Sequence, residues 1–524
     1  MYKRLRKNKS GSTTVYLLDS VRIEGKKHAS SKVIKCFGSS KDQDIIDKWE
    51  AEAEELRFNL VAKKITSRDF TTIKHDDDIN TCKVTETGIK YLYTSIFDSI
   101  FSKLNFKNIN KKELANLVIM RLAMPVSKLR TANIASDFGI EDMTINKIYK
   151  MMDKIGDTQI NTIKRHVFKN TQSMLDNNLQ VIFYDLTTIY FEANSQSDLK
   201  EFGFSKDGKS QHVQISLALM VTDHGMPIGY EIFKGNTFEG STLIPTLEKI
   251  KKDYGVEDIT IVADSAMLSE KNISSLIDRK YKFIVSARVR NMSKQLTEKM
   301  LNNEQYFQLN NLHYKSINME NGKKLLCVFS EDRKRKDEYD REQALERLKK
   351  LEGKNTKSVL KGSLKKMYIK VNNESIIALD EKKIEASKKL DGYFGFISNV
   401  DLKEEEIIAQ YKGLWQVEQS FRLTKHNLKI RPVYHYVDRR IKAHFAICYL
   451  SLALVRSLEY KLKQVGHYMP IEELHHHLKQ IKEVKLTVNN QESTITTDIP
   501  NEVIKILIAL NIAIPKRYSS RSRV

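Results

Sequence analysis

The chain has 524 residues, of which 41% are hydrophobic, and it carries 88 lysines and arginines against 66 aspartates and glutamates. This hydrophobic content excludes an intrinsically disordered chain, and the length predicts three or four domains. The net charge of +22 favours a polyanionic partner, with nucleic acid ahead of an anionic membrane surface.

The sequence carries few signs of a membrane or secreted protein. Its longest apolar stretches, residues 443–455 and 503–514, are shorter than the roughly 20 residues that a membrane span needs, so we interpret them as buried helices. The basic start of the chain is not followed by an apolar segment, which disfavours a secretory signal. The four cysteines include no Cys-x-x-Cys pair, which argues against a disulfide framework or a zinc ribbon. We therefore expect a cytoplasmic protein without a membrane partner.

Two amino-terminal regions differ in their pattern. Residues 1–65 predict a small β-meander followed by a helix, because polar and apolar residues alternate before residue 40. Residues 85–175 are helical in pattern, with apolar positions three and four apart. Within them, residues 131–150 resemble a helix-turn-helix, since Ala135 lies four residues before a glycine and apolar residues occupy the positions that this motif buries.

The second helix of this motif, at about residues 143–152, would lie in the major groove of DNA. Its exposed side chains would be those of Asn146, Lys147 and Lys150. An ordinary helical hairpin explains the same pattern, so both interpretations stay open.

Two short apolar runs farther along the chain each end in an aspartate. Residues 181–185 and 259–264 are rich in β-branched and aromatic residues and predict buried strands that end at Asp185 and Asp264. Open α/β sheets bind ligands at the carboxyl ends of their strands. The order of strand, hairpin, helix and strand along this part of the chain predicts a mixed α/β sheet, in which the two aspartate strands could be neighbours.

A third carboxylate, that of Glu418, lies on a predicted helix with two faces. At 100° per residue, one polar stripe collects five residues within about 40° of one line. They are Tyr411, Trp415, Glu418, Arg422 and Lys425. A separate apolar stripe, formed by Leu414, Val417, Phe421 and Leu428, lies roughly 90° away and predicts the buried face.

The interval from Asp264 to Glu418 is almost twice that from Asp185 to Asp264, which indicates an insertion at residues 291–390. β-like stretches there flank a highly charged segment, residues 331–352, whose mixed signs favour a solvated helix. A contact of Arg333, Lys334 and Arg335 with a DNA backbone is the alternative. Three carboxylates in a basic protein suit phosphoryl transfer assisted by Mg²⁺, an ion that prefers oxygen ligands.

Several of these motifs resemble the DDE transposases of bacterial insertion sequences, in the IS4 group and most like its IS1634-type members. The similar segments are Asp185-Leu186-Thr187 and Ala263-Asp264-Ser265-Ala266-Met267. In the signature Tyr-x2-Arg-x3-Glu-x6-Lys, Tyr411, Glu418 and Lys425 match, whereas Leu414 stands at the arginine position.

The resemblance implies an α/β fold in which a ribonuclease-H-like catalytic domain is interrupted by the β-rich insertion, beside the helical, helix-turn-helix-like DNA-binding region and the small β element. The implied segments are a first part of the catalytic core at 176–290, the insertion at 291–390, a second part of the core at 391–465 and a carboxyl-terminal helical tail at 466–524.

The resemblance also implies roles for the residues of the site. Asp185, Asp264 and Glu418 would hold two Mg²⁺ ions, for which Mn²⁺ can substitute. Tyr411 and Lys425 would contact DNA phosphates, and Arg422 could supply a further cation. Trp415 would stack on an unpaired base or pack against the neighbouring helix.

The function that follows is a cut-and-paste transposase. It would bind the terminal inverted repeats of a mobile element and the target DNA as a homodimer in a synaptic complex. Two alternatives stay open: a ribonuclease-H-like nuclease without strand transfer, and a non-catalytic DNA-binding regulator descended from a transposase.

Overall fold

The computed structural model describes residues 2–21, 30–66, 79–104, 106–192, 195–204, 211–256, 259–265, 269–302, 304–349, 368–372, 375–488 and 491–522. The chain forms two compact units. The first comprises Met1–Ser102, Ile109–Met151 and Ser457–Val524, and the second comprises Lys103–Asn108 and Met152–Arg456.

The first unit contains two antiparallel sheets and several helices. Its elements are β1 (Tyr2–Lys7), β2 (Thr13–Val21), β3 (Ser30–Ser40), α1 (Gln43–Thr66), β4 (Ile79–Glu86), α2 (Gly88–Ile100), α3 (Lys111–Ala123), α4 (Lys128–Ile134) and α5 (Ile145–Lys154). The carboxyl-terminal part adds α15 (Ile471–Lys479), β16 (Lys482–Val488), β17 (Gln491–Thr496), α16 (Asn501–Ala509) and β18 (Tyr518–Ser522). Strands β1, β2 and β3 form the predicted meander, and α1 packs against it through Ile46, Trp49 and Ala53.

The segment 466–524, predicted as a helical tail, contains α15 and α16 but also three strands. Strands β16, β17 and β18 lie in this segment and form a four-stranded sheet with β4, in the order β18-β17-β16-β4. Val484 and Leu486 alternate with charged and polar residues along β16, a period-two pattern that suits a strand. The partner strand β4 lies about 400 residues earlier in the chain, so no local pattern predicts this pairing.

The segment predicted to resemble a helix-turn-helix contains two helices joined by a tight connection. After α4, a single 3₁₀ turn leads to Gly139, whose φ of 64° reverses the chain before α5. Ile148 and Met151 of α5 are buried, whereas Asn146, Lys147 and Lys150 are exposed. These three side chains are exposed, as the sequence predicts. Their contact with DNA stays a prediction.

The second unit is built on a nine-stranded mixed sheet. Its elements up to the insertion are α6 (Asp157–Met174), β5 (Val181–Tyr190), β6 (Gln214–Val221), β7 (Pro227–Lys234), α7 (Leu243–Tyr254), β8 (Thr260–Ala263), α8 (Glu270–Asp278), β9 (Lys282–Ser286) and α9 (Lys294–Leu301). The later elements are β10 (Phe307–Leu309), β11 (Leu312–Asn318), β12 (Lys324–Ser330), α10 (Glu331–Lys349), β13 (Ile369–Asn372), β14 (Ser375–Leu379), α11 (Glu381–Lys388), β15 (Tyr393–Ser398), α12 (Glu404–Lys412), α13 (Trp415–Arg422) and α14 (Asp438–Gln464).

The strand order in this sheet is β10-β11-β12-β15-β9-β8-β5-β6-β7. Strands β5, β8 and β9 are neighbours in the sheet and run parallel to one another. Because β15 is antiparallel to β9 and β12 is antiparallel to β15, β12 runs in the same direction as β9. The carboxyl ends of β8, β9 and β12 therefore lie at one edge of the sheet.

The two faces of the sheet differ in what covers them. One face forms the main hydrophobic core, in which Tyr184, Ala263, Val285 and Ile397 pack beneath α7 and α8. Side chains alternate between the faces of a strand, so the residues next to these four point to the opposite face. The opposite face carries Asp185, Asp264 and Ser286, and α13 packs against β5 and β6.

The region 291–390 contributes strands to the same sheet, since β10, β11 and β12 continue it beyond β15. Strands β13 and β14 form a separate pair. The charged segment forms the predicted helix, α10, which is anchored by a buried ion pair between Arg341 and Asp391. The limits of the insertion stay a prediction.

The predicted buried helix at 443–455 lies within α14. In the part of the chain that the structure describes, α14 is the one helix long and apolar enough to cross a membrane. In its most apolar stretch 94% of the residues are buried inside the protein, which accounts for that composition.

The anchor of α10 gives a stability prediction. Arg341→Met leaves the Asp391 carboxylate, whose side chain is only 2% exposed, without its main partner. We expect the free energy of unfolding to fall by about 3–5 kcal/mol, as is typical when one partner of a buried pair is removed. Chemical denaturation of the purified protein measures this change.

Arg279→Met is the matched control, because Arg279 pairs with Glu248 at a distance of 2.7 Å where both side chains are exposed. Its loss is expected to stay below about 1 kcal/mol. Equal losses in the two variants would show that the buried pair does not anchor α10.

Candidate functional site

Asp185 and Asp264 lie side by side on neighbouring strands. The register of the parallel pair β5–β8 aligns Tyr184 with Ala263, so the next two residues, Asp185 and Asp264, are also aligned. Parallel strands lie about 4.8 Å apart, and aligned residues point to the same face. The two carboxylates predicted from separate sequence motifs therefore share one edge and one face of the sheet.

The backbone that follows each aspartate helps to orient its carboxylate. The amide of Leu186 donates to Asp185 Oδ1 at 2.7 Å, and the amide of Ser265 donates to Asp264 Oδ1 at 2.6 Å. The Arg288 guanidinium in turn donates to the Ser265 carbonyl oxygen from Nε at 3.1 Å and from Nη2 at 2.9 Å. Arg288 thus fixes the chain immediately after Asp264, a role that no motif in the sequence indicates. Ala266 and Met267, which complete the predicted segment, lie outside the described residues.

The helix that carries Glu418 has the two faces that the sequence predicts. Leu414, Val417, Phe421 and Leu428 are buried, which confirms the apolar stripe. Glu418, Trp415 and Arg422 are exposed, and Tyr411 and Lys425 are half-buried. The buried face of α13 packs on β5 and β6. Glu418 therefore lies on the helix that covers β5, the strand of Asp185.

The helix is less uniform than the 100° spacing assumes. It tightens at Gly413 and Leu414, between α12 and α13, and it widens into a π-helical turn at Leu423–Asn427. A π turn contains more residues than an α turn and is frequent at functional sites. Lys425 lies in this wide turn, so its angular position relative to Glu418 is set by the turn and not by the ideal stripe.

A close contact with β5 sets the position of the tightened turn. A Cβ added to Gly413 would lie 2.4 Å from Cζ of Phe183, whose ring is buried in the sheet. Phe183 lies two residues before Asp185 and points to the same face. The absence of a side chain at residue 413 therefore lets the helix approach the strand of Asp185.

Tyr411 links the helix to the edge of the sheet. Its ring packs on Phe396 with the centroids 4.2 Å apart. The pKa of the Tyr411 phenol is raised to about 12, chiefly by burial. A hydrogen bond with Ser286 and the charge of Arg333 act to lower this pKa, and the Asp264 and Glu418 carboxylates act to raise it. The Tyr411 hydroxyl therefore lies within the electrostatic influence of two predicted carboxylates, those of Asp264 and Glu418, and of one guanidinium, that of Arg333.

The signature position held by Leu414 contributes no charge. Its side chain is 8% exposed on the buried face of the helix, so it packs against the protein and not toward a ligand. Arg333, from the first turn of α10, is a charged group near Tyr411 that the signature does not include.

The donor set suits a hard divalent cation, because carboxylate oxygens are the ligands that Mg²⁺ prefers. Asp185 and Asp264 are aligned at one edge, and Glu418 lies on the helix above the same face. Among the described residues, no three His, Cys, Asp or Glu side chains converge closely enough to enclose an ion. The chemistry of the residues fits the ion, and the structure brings two of the three carboxylates into register.

The contact of Gly413 with Phe183 can be tested by substitution. Gly413→Ala is expected to destabilise the protein by about 1–3 kcal/mol, because overpacking forces the helix or the Phe183 ring to move. Adding Phe183→Leu should recover part of this loss, since a smaller side chain makes room for the new methyl group. Chemical denaturation of both single variants and the double variant measures the coupling, and additive losses would contradict the contact.

Comparisons with known proteins bear on this site. A sequence profile described as a transposase DDE domain matches residues 176–454, more than half of the chain. The chain is also similar to the cryo-EM structure of the piggyBac transposase synaptic complex with hairpin DNA, at 10% identity over 75% of each chain with a TM-score of 0.36. A second similar structure is the Mos1 transposase paired-end complex with left transposon end, at 13% identity over 34% of this chain and 59% of that chain, with a TM-score of 0.15. A search of curated proteins found no match. The protein belongs to the family defined by the transposase DDE domain.

Proposed function

We propose that this transposase cleaves DNA at the ends of a mobile element and transfers the freed strand to a target. The observation that carries the proposal is the alignment of Asp185 with Asp264 at one edge of the sheet. The Glu418 helix covers the same face. A net charge of +22 supports a polyanionic substrate.

Asp185, Asp264 and Glu418 would hold two Mg²⁺ ions, with Mn²⁺ able to substitute. When bound, the ions would lower the pKa of a water molecule and stabilise the leaving oxygen of the phosphodiester. The contacts of Asp185 and Asp264 with the following amides would keep both carboxylates oriented. Tyr411, Lys425 and Arg422 would bind phosphates beside the reacting group, and Trp415, with 46% of its surface exposed, would stack on an unpaired base.

The reaction would proceed in two displacements at phosphorus. In the first, a water oxygen bonds to phosphorus as the bond to the 3′ oxygen breaks, which leaves a 5′-phosphate and a 3′-hydroxyl. In the second, this 3′-hydroxyl attacks a phosphodiester of the target and displaces its 3′ oxygen. The first step hydrolyses one phosphodiester, and its proton balance closes because the water proton ends on the freed 3′ oxygen. The second step exchanges one phosphodiester for another, so the joining needs no external energy source.

The order of five strands supports a ribonuclease-H-like core. Strands β7-β6-β5 are antiparallel and β5-β8-β9 are parallel, with the aspartates on the central β5 and on its neighbour β8. The spacing of Tyr411, Glu418 and Lys425 further supports a place in the IS4 group, of the IS1634 type.

The α4–α5 segment would recognise the terminal inverted repeats, with the exposed face of α5 in the major groove. The active form would be a homodimer that holds both ends in a synaptic complex. A nuclease without strand transfer and a non-catalytic regulator are the rival functions.

A cleavage assay tests the catalytic proposal. The donor is a supercoiled plasmid that carries the DNA flanking this coding sequence on both sides, incubated with protein and Mg²⁺ or Mn²⁺. Asp264→Asn and Glu418→Gln are each expected to reduce cleavage at least about 100-fold, because ion-assisted stabilisation is worth several kcal/mol and each 1.4 kcal/mol is tenfold.

Glu298→Gln serves as the control, since Glu298 is an exposed carboxylate on α9. Nicking by the wild type without joined products would favour the nuclease, and tight binding without cleavage would favour the regulator. Cleavage by Glu418→Gln within a few-fold of the wild type would remove Glu418 from the site.

End recognition is tested separately by binding. Asn146→Ala is expected to weaken binding to the terminal repeats by about 1–3 kcal/mol while leaving binding to random DNA nearly unchanged, as for a side chain that reads bases. Lys147→Ala and Lys150→Ala should weaken both, as for phosphate contacts. Fluorescence anisotropy with labelled duplexes measures each affinity, and a uniform effect of Asn146→Ala would contradict base reading.

A further inference from the structure

We propose that Arg333, on the first turn of α10, binds a DNA phosphate at the active-site edge and supplies the cation that Leu414 cannot. This inference rests on the proposed function. It assigns a substrate-binding role to a residue of the charged helix that lies far from the signature in sequence.

The topology brings α10 to the edge of the sheet where β8 ends beside Asp185 of β5. Strand β12 runs in the direction of β8 and β9, and α10 begins directly after Ser330 at its carboxyl end. Asp264 follows β8 at the same edge. Three strand spacings separate β12 from β8 in the order β12-β15-β9-β8, which is about 14 Å. A DNA strand lying along this edge would pass both positions.

Aromatic rings on one face of β15 connect Arg333 to the site. The Arg333 guanidinium lies 5.0 Å from the centre of the Phe394 ring. Phe394 contacts Phe396 at a centroid distance of 5.7 Å, and Phe396 packs on Tyr411. Residues 394 and 396 point to the same face of the strand, which also carries Ser286 as the register partner of Phe396. Arg333 therefore lies over the face that carries the carboxylates.

The guanidinium is held in place yet remains accessible. Arg333 Nε lies 4.0 Å from Asp337 Oδ2 one turn along α10, and Asp337 accepts a hydrogen bond of 3.1 Å from the Gly392 amide. The α10 backbone approaches Gly392 so closely that an added Cβ would lie 2.9 Å from Cβ of Lys334. The Arg333 side chain is nevertheless 52% exposed. A planar guanidinium fixed over a ring presents its remaining donors to a phosphate with little loss of side-chain freedom.

A cation at the position of Arg333 offsets the negative charge of the carboxylates at this edge of the sheet. Asp264 and Glu418 place negative charge near Tyr411, and a phosphodiester that reaches them is repelled in the absence of cations. Arg333 supplies a positive charge there, which opposes the effect of the two carboxylates on the Tyr411 hydroxyl. A guanidinium there would attract the phosphate next to the reacting one and keep the strand on the edge.

The test compares two arginines of the same helix. Arg333→Ala and Arg335→Ala remove the same charge, and both side chains are exposed, but residues two apart on a helix point in very different directions. The probe is a fluorescein-labelled random 40-base-pair duplex, titrated at several salt concentrations. We expect Arg333→Ala to weaken binding about five-fold or more relative to Arg335→Ala and to reduce the salt slope by about one. Arg333→Lys should restore part of the affinity, because it keeps the charge but not the planar fork.

Two results separate the inference from the function on which it rests. Equal affinities and salt slopes for Arg333→Ala and Arg335→Ala would overturn the inference, even if the wild type cuts the donor plasmid. A selective effect of Arg333→Ala on the duplex would support the phosphate contact, even if the wild type leaves the plasmid intact and the catalytic proposal fails. Melting temperatures of the variants should match, and a selective loss of folding in Arg333→Ala would also overturn the inference by making Arg333 structural.

Discussion

The parallel pairing of β5 with β8 is the constraint on which the candidate site depends. A shift of one residue in this register would move Asp264 away from Asp185 and turn it to the opposite face of the sheet. The register is held by the core on the other face, where Tyr184 and Ala263 are fully buried. The hydrophobic core on one face of the sheet thus sets the relative position of Asp185 and Asp264 on the opposite face of the same two strands.

The helical layer above the strands meets a second constraint. Glu418 must remain exposed while Val417 and Phe421, on the same helix, stay buried. The contact between Gly413 and Phe183 brings the helix close to β5, and the π turn at Leu423–Asn427 then changes its phase. The first feature sets how closely the helix approaches β5, and the second sets the angular position of Lys425 relative to Glu418.

The region between Asp264 and Glu418 is part of the same architecture. Its strands extend the sheet, and an ion pair between Arg341 and Asp391 anchors α10. Near the start of α10, Arg333 packs on the Phe394 ring and lies one helical turn from the Asp337 carboxylate.

The sequence by itself determined the two faces of the Glu418 helix, because burial follows a local period of 3.6 residues. It also predicted the residues of the candidate site, from their motifs and from the family that these motifs resemble. It further indicated the strands that carry Asp185 and Asp264, but it ended the first strand at Asp185, whereas β5 continues to Tyr190 through its pairing with β6. Only the tertiary structure decided that β16 pairs with β4, that Gly413 meets Phe183 and that Arg333 packs on Phe394. Each of these contacts joins residues far apart in the chain, and such contacts depend on which strands become neighbours in the folded core, a choice that no short segment encodes.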